Sequence, residues 1–381
     1  MDWRKINLSQ LPSPCYVIDS DSLRNNLKML KRNCEAVGMK PLLAVKGFPL
    51  ALAFSDMAPY VHGISASSLF EAQLGEHMGK EIHIHAPAYR PDEIIKVLNC
   101  CDHVVFNSFT QWDLYRDVFS SSIKRPSVGL RINPEYSIVE IDKYNPCLPY
   151  SRFGITREAL FSRNLTGIDG LHLHVMCDHG AETFAKVIDN FVSKFGTLLP
   201  HLSWINLGGG QRLADEDYKI ELLYDLISRL VKDFELEVYV EPCEAVVTGS
   251  GYLVSTVLDV VKNGKETAIL DASALCHMPD VLEMPYRPDI VFPSDGNHGN
   301  YRYIFAGVSC LAGDIIGEYE FNVPIQVGDK IIFSDMGAYT FAKENYFNGI
   351  NHPAIVLYDQ LNGFRVVKQF DYKDYEHQYL M

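Results

Sequence analysis

The sequence predicts an α/β protein: a (β/α)8 TIM-type barrel followed by a C-terminal domain like a β-sandwich or β-barrel. Three observations carry this. Over the first 245 residues short apolar, β-branched runs alternate with amphipathic helical segments. Eight such runs can be counted, the number that closes a barrel. After about Ala245 the texture changes to strands broken by Gly, Asn and Asp turns, with little helical periodicity. A doubly wound sheet is the alternative, but it would want fewer strands and a GxGxxG opening after the first one. At 381 residues the chain has room for two full cores.

Taken in order, residues 15–18 read as a short strand, and Ser20 or Asp21 can cap the helix that follows. Leu23, Leu27 and Leu30 fall on one face of it. The eight barrel strands are expected at 41–46, 63–67, 82–86, 104–107, 128–133, 170–175, 204–207 and 238–241. Helical stretches, such as 69–77, 92–98 and 218–232, separate most of them. Strands at 251–261, 267–271, 303–308, 323–327 and 330–333 would build the second domain, and 293–300 is a polar loop. The expected division is 1–14 as a segment joining the C-terminal domain, 15–245 as the barrel and 246–381 as the β domain.

Composition narrows the function classes. The chain is 47% hydrophobic and 22% charged, with no apolar run near the ~20 residues of a membrane span. The start, Met-Asp-Trp-Arg-Lys, is not followed by an apolar stretch and does not read as a secretory signal. Nine cysteines without a CxxC pair or a metal-ligand spacing point to reduced thiols in a cytoplasm. A formal net charge of −14 serves solubility or a field that draws in cationic substrates. No Lys/Arg-rich stripe suggests nucleic acid.

Barrel enzymes place their chemistry at the C-terminal ends of the strands, so those ends can be read in order. The first closes on Lys46, either a surface lysine with a snorkelling stem or an amine poised for Schiff-base chemistry. The fifth carries Arg131 inside an apolar run. The sixth carries His172 and His174, which alternation puts on one face, suited to metal, to structure or to stacking on a flat ring. The seventh ends in Gly208-Gly209-Gly210, a tight turn or the phosphate loop usual after strands seven and eight. The eighth ends in Glu241, a buried carboxylate in need of a cationic partner or a donor. An amine, a glycine loop and an acid so arranged fit pyridoxal phosphate: the lysine for the aldehyde, the glycines for the phosphate, the acid for the ring nitrogen.

At these residues the chain resembles the fold-type III pyridoxal-phosphate decarboxylases, shaped like alanine racemase. Within that family the likeness is greatest to the carboxynorspermidine (carboxyspermidine) decarboxylases. It rests on Leu42-Leu43-Ala44-Val45-Lys46-Gly47-Phe48, Gly63-Ile64-Ser65-Ala66-Ser67-Ser68, Tyr150-Ser151-Arg152-Phe153-Gly154 and Gly170-Leu171-His172-Leu173-His174. In the second half it rests on Asn206-Leu207-Gly208-Gly209-Gly210, His277-Met278-Pro279-Asp280, Ser309-Cys310-Leu311-Ala312-Gly313-Asp314 and Asp335-Met336-Gly337-Ala338-Tyr339-Thr340, with Phe347-Asn348-Gly349. The resemblance implies pyridoxal 5'-phosphate as cofactor, Lys46 as its Schiff-base lysine, His174 stacked on the ring and Glu241 on the pyridine nitrogen. Gly208, Gly209, Gly210 and Tyr339 would hold the phosphate, with Arg131 among the cofactor-binding residues. Cys310 matches the cysteine that one subunit inserts into its neighbour's active site, which implies a head-to-tail homodimer with shared sites. Asp178, Glu244, Asp271, His277, Asp280 and Asp314 become candidates for the substrate's amine-bearing tail or the subunit boundary. An Asp in a β-domain turn is otherwise a turn residue.

The implied activity is decarboxylation of a carboxylated polyamine in polyamine (spermidine) biosynthesis, in the cytoplasm, with no metal. Glu241 speaks against a racemase, because racemases of this fold favour a basic residue there. The alternatives are a decarboxylase of diaminopimelate, ornithine or a divergent substrate, or a non-catalytic regulatory homologue. Three departures from the family pattern stand out. Cys243 replaces the glycine of Glu-Pro-Gly-Glu-Ala, Gln211-Arg212 replaces two histidines, and Asp178 stands where a glutamate is common. Arg212 offers a direct phosphate contact in compensation.

Overall fold

The computed structural model describes residues 1–380 and divides into two compact units, 25–246 and 1–24 with the chain from 247 onward. The first strand, β1 (Cys15–Asp19), belongs to the second unit, so the expected start of the barrel at residue 15 moves to residue 25. Asp19, rather than Ser20 or Asp21, caps the helix Ser20–Val37: its Oδ1 accepts from the Asp21 and Ser22 N–H groups at 3.0 and 3.2 Å.

In the 25–246 unit eight parallel strands close a barrel. They are β2 (Met39–Ala44), β3 (Gly63–Ala66), β4 (Glu81–His85), β5 (His103–Phe106), β6 (Ser127–Asn133), then β8 (Gly170–His172), β9 (Trp204–Asn206) and β10 (Glu237–Val240). A two-residue strand, β7 (Ile155–Thr156), extends β6, and β10 pairs with β2 to complete the circle. All eight expected strands are present. Seven end one to three residues early, because Val45, Leu173, Val175 and Leu207 stay buried beyond the last ladder pair and read as strand in an apolar run.

Large aromatic side chains fill part of the barrel interior. Trp204 and Tyr239 cluster with Leu42 and Val105, and the rings of His83 and His103 stack beside them at 3.9 Å. Glycines on neighbouring strands make the space: a Cβ on Gly170 would lie 2.1 Å from Trp204 Cδ2, and one on Gly129 would lie 2.3 Å from Trp204 Cη2. Trp204 Nε1–H donates to Ser127 Oγ at 2.7 Å, so its one polar atom is satisfied.

The second unit is one mixed sheet of nine strands, the form taken by the expected sandwich or barrel-like domain. Its spine is β11 (Gly251–Asn263), antiparallel to β1 in its first half and to β12 (Lys265–Leu270) in its second. Next in the chain come β13 (Ile290–Phe292), β14 (Tyr301–Ala306), β15 (Ile315–Phe321) and β16 (Lys330–Ser334). β14 lies parallel to β12 and antiparallel to β15, while β16 pairs with β11 and β13. Last, β17 (Ala354–Asp359) pairs parallel with β1 and antiparallel with β18 (Gly363–Lys368). Trp3, Cys15, Val17, Tyr252, Val254, Ile332 and Val356 form its core. No strand forms at 323–327: Pro324 lacks a donor, and Val323 and Val327 stand 62% and 63% exposed. Among the described residues no helix is long and apolar enough to cross a membrane.

Candidate active site

The C-terminal mouth of the barrel collects the barrel residues singled out from sequence. β2 ends at Ala44, and Lys46 stands in the 3-10 turn Val45–Gly47 that follows. The Ala44 N–H donates to Pro242 O at 3.1 Å, which laces the end of strand one to the end of strand eight. The Lys46 charge acts on His174, Cys177 and Cys243, so the amine belongs to the mouth and not to the outer surface.

Glu241, one residue past β10, is buried and held from several strands. Its Oε1 accepts from Ser65 Oγ and from Asn206 Nδ2, both at 2.8 Å, while His172 Nε2 lies 3.4 Å away without hydrogen bonding to it. Its Oε2 lies 3.3 Å from His85 Nε2. Burial alone would raise the carboxyl, but the imidazoles of His85 and His172 hold it well below the usual carboxylate range. Burial in turn pushes His172 down to about 4, so it is neutral at pH 7. The outcome is a desolvated anion at a fixed place, suited to a cationic ring nitrogen.

Asn206 also couples this acid to the glycine loop, since its Oδ1 accepts from the Gly208 N–H at 2.9 Å. Gly208 and Gly210 have positive φ, and a Cβ on Gly209 would lie 2.4 Å from Glu241 O. The loop therefore offers bare backbone at the barrel mouth. The Gly209 N–H donates to His174 Nδ1 at 3.0 Å, fixing the tautomer with its proton on Nε2. Burial and the nearby charges of Lys46 and Arg131 keep this ring neutral, with a pKa well below the ordinary histidine value. His172 and His174 thus serve different neighbours. One supports the acid and the other the loop.

Arg131 is buried on β6 in register with His172, its guanidinium over the Phe153 ring at 4.3 Å; burial lowers it to about 10. Cys243 is buried beside Gly47, and burial pushes its thiol up to about 12 against the pull of Lys46. Arg212 turns to carboxylates, with Nε 3.4 Å from Asp215 and 4.0 Å from Asp178. Asp178 is exposed with φ 54°, and Glu244 opens the short helix after Cys243.

The remaining candidates lie in the second unit. Cys310 is exposed, and its N–H donates to Asn348 Oδ1 at 2.7 Å. Tyr339 has φ 58°. Asp314 accepts from Ser273 Oγ at 2.7 Å, from the Ser309 N–H at 3.1 Å and from the Leu275 N–H at 3.3 Å. Asp271 accepts from Ser255 Oγ, the Thr256 N–H and Ser13 Oγ. His277 bridges the Ser273 N–H and Asn351 O. These three tie loops together, the structural role open to them from sequence. Asp280 is partly exposed and pairs with Lys343 at 2.5 Å. Sequence reasoning did not single out Ser65, His85 or Asn206. The signal for His85 was its strand, Glu81-Ile82-His83-Ile84-His85, whose alternation turns polar residues inward.

An amine, an ionised buried acid, a neutral imidazole and a glycine loop bare of side chains are the set that pyridoxal phosphate requires, and together they define a pyridoxal-phosphate enzyme. The chain belongs to the pyridoxal-dependent decarboxylases: the family model described as "Pyridoxal-dependent decarboxylase, C-terminal sheet domain" matches residues 15–337. A carboxynorspermidine/carboxyspermidine decarboxylase of Campylobacter jejuni is 37% identical over 378 residues, 96% of this chain and 98% of its own. A carboxyaminopropylagmatine decarboxylase of Synechocystis sp. is 40% identical over 373 residues, 97% and 95% of the two chains. The crystal structure of the Campylobacter jejuni carboxynorspermidine decarboxylase complexed with norspermidine matches with a TM-score of 0.88 at 36% identity, covering 97% and 100%.

Proposed function

We propose that the protein removes CO2 from the amino-acid head of a carboxylated polyamine, carboxynorspermidine or carboxyspermidine, as a cytoplasmic homodimer with shared sites. The observation that carries the chemistry is the buried, ionised Glu241 at the end of strand eight. Pyridoxal phosphate, when bound, supplies an aldehyde for the substrate amine and a ring that takes up the electrons released with CO2. In this reading Lys46 would hold the cofactor through its aldehyde until the substrate amine takes its place. Glu241 keeps the proton on the ring nitrogen, and Ser65, Asn206, His85 and His172 keep Glu241 in place. Gly208, Gly209, Gly210 and Tyr339 would hold the phosphate, Arg131 would assist from β6, and His174 would stack on the ring. Cys310 of a second copy returns a proton to Cα. The acids Asp178, Glu244 and Asp280 receive the cationic tail, while Asp314 keeps the Cys310 loop in shape.

The choice of tail rests on relatives. Those of 35–40% identity over nearly the whole chain act on carboxylated polyamines by name. Diaminopimelate decarboxylases fall to 24–26% over about 60% of it. The Synechocystis relative favours a second reading, carboxyaminopropylagmatine, whose tail ends in a guanidinium. CO2 release from carboxynorspermidine, carboxyspermidine, carboxyaminopropylagmatine, diaminopimelate and ornithine, measured side by side, tests both. The first two are expected to give the highest kcat/KM. Greater turnover of the third moves the assignment to the second reading, and greater turnover of the last two ends both.

A further inference from the structure

The floor of the barrel, at the N-terminal ends of the strands, holds a second concentration of titratable groups that decarboxylation does not use. Glu81 opens β4, His103 opens β5 and His62 immediately precedes β3. His83 stands two residues beyond Glu81, on the same inward face. The Glu81 carboxylate lies 2.6 Å from His83 Nε2, 3.4 Å from His62 Nε2 and 3.6 Å from His103 Nε2. The ligand atoms of Glu81, His83 and His103 all fall within 4.8 Å of one another. At 3.6 Å His103 is too far for a hydrogen bond to that carboxylate. Both His83 and His103 keep a buried Nδ1 without a partner.

We propose that this floor cluster binds one divalent transition-metal ion of the zinc class, through Glu81 and the Nε2 atoms of His83 and His103, with His62 as fourth ligand. Three imidazoles and one carboxylate form the mixed nitrogen–oxygen set that borderline ions prefer, and hard ions such as magnesium or calcium do not. Binding an ion replaces the 2.6 Å His83 Nε2–Glu81 hydrogen bond with coordination to both groups, and the proton shared between them is released. An ion has an entry path, because the side chains of Glu81 and His62 are 28% and 35% exposed. Lys40 nearby is neutralised by its ion pair with Glu237. The His83 and His103 planes lie within 7° of parallel, so binding requires one ring to turn its lone pair toward the other. Trp204, edge-on to His103 at 5.1 Å, would register that turn.

The test is calorimetric titration of chelator-treated, cofactor-loaded protein with Zn2+, and tryptophan fluorescence on adding Co2+. Wild type is expected to take up one equivalent and to show quenching. Glu81→Gln and His103→Gln are expected to weaken binding at least about tenfold. The partly exposed His62→Ala, which places no demand on folding, is expected to weaken it severalfold. His172→Asn, in the separate His85–His172–Glu241 group at the mouth, is expected to bind as wild type does. No stoichiometric uptake, affinity unchanged in both Glu81→Gln and His62→Ala, or loss of binding in His172→Asn would each overturn the proposal. The outcome is independent of which substrate the mouth decarboxylates.

Discussion

Glu241 shows how much of one residue's chemistry is borrowed from its neighbours. Removing its charge while keeping its shape, as Glu241→Gln, is expected to lower kcat by at least about a hundredfold, the scale on which losing a preorganised electrostatic partner registers. Binding of the cofactor should survive, since the glycine loop and Lys46 remain. Steady-state kinetics with a spectroscopic cofactor titration separate the two effects, and unchanged kcat would remove Glu241 from the chemistry. At this scale the sequence was legible where a residue closes an apolar run: Lys46, the glycine loop and Glu241 all mark strand ends. Ser65 and Asn206 were not legible, because a polar residue inside a short parallel strand looks like a break in it. Their partner, Glu241, is 176 and 35 positions away and is met only when the barrel closes.

Among the elements, β9 and its neighbours show the tightest fit between sequence and packing. Trp204 occupies space that two glycines vacate, so Gly170→Ala puts a methyl into the indole. We expect a loss of roughly 1–3 kcal/mol, read as a lower urea midpoint, with recovery when Trp204→Leu is added. Equal stability of Gly170→Ala and wild type would contradict the packing. Most of the barrel strands were readable as short apolar runs covered on both faces, and β4 by its alternation of Ile with His. The second unit was less so. Strand 15–18 was found but not its sheet, since its partners β11 and β17 lie far along the chain. β15, Ile-Ile-Gly-Glu-Tyr-Glu-Phe, and the half-exposed β18 escaped because their alternation carries charge or glycine. The apolar stretch at 323–327 misled because hydrophobicity alone does not supply the donor that Pro324 lacks.

For the whole molecule, acid is the expected weakness. His103, His172 and His277 are held at about 3, 4 and 4 by burial, against about 6.5 in an unfolded chain. As pH falls below 6.5 the unfolded chain gains protons that the folded chain does not, so stability falls, by up to about 1.4 kcal/mol per pH unit for each imidazole. Glu81 adds to this below about 4.5, its contribution vanishing as pH drops toward 2. The urea midpoint is expected to be lower at pH 5.5 than at pH 7.5, and the difference smaller in His172→Asn. Equal midpoints would count against neutral buried histidines. Assembly can be tested by mixing two inactive variants, Lys46→Ala and Cys310→Ala. Partial recovery of activity is expected if one copy completes the other's site, and none would argue against a shared centre.

The pairing of Cys15 with Ala354, near opposite ends of the chain, has a consequence for synthesis. β1 leaves the ribosome before every barrel strand, yet its parallel partner β17 follows all of them. All the strands of the barrel are made in between, so the barrel can close while β1 still waits as an unpaired edge. Until β11 arrives, Cys15–Asp19 is an apolar ribbon with open hydrogen-bonding groups, and until β17 arrives one of its edges stays open, the kind of segment that chaperones shield and that pairs wrongly with its like. A nascent chain halted once Val240 has cleared the ribosome, and before β11 has, would therefore carry a finished barrel and an unpaired apolar strand.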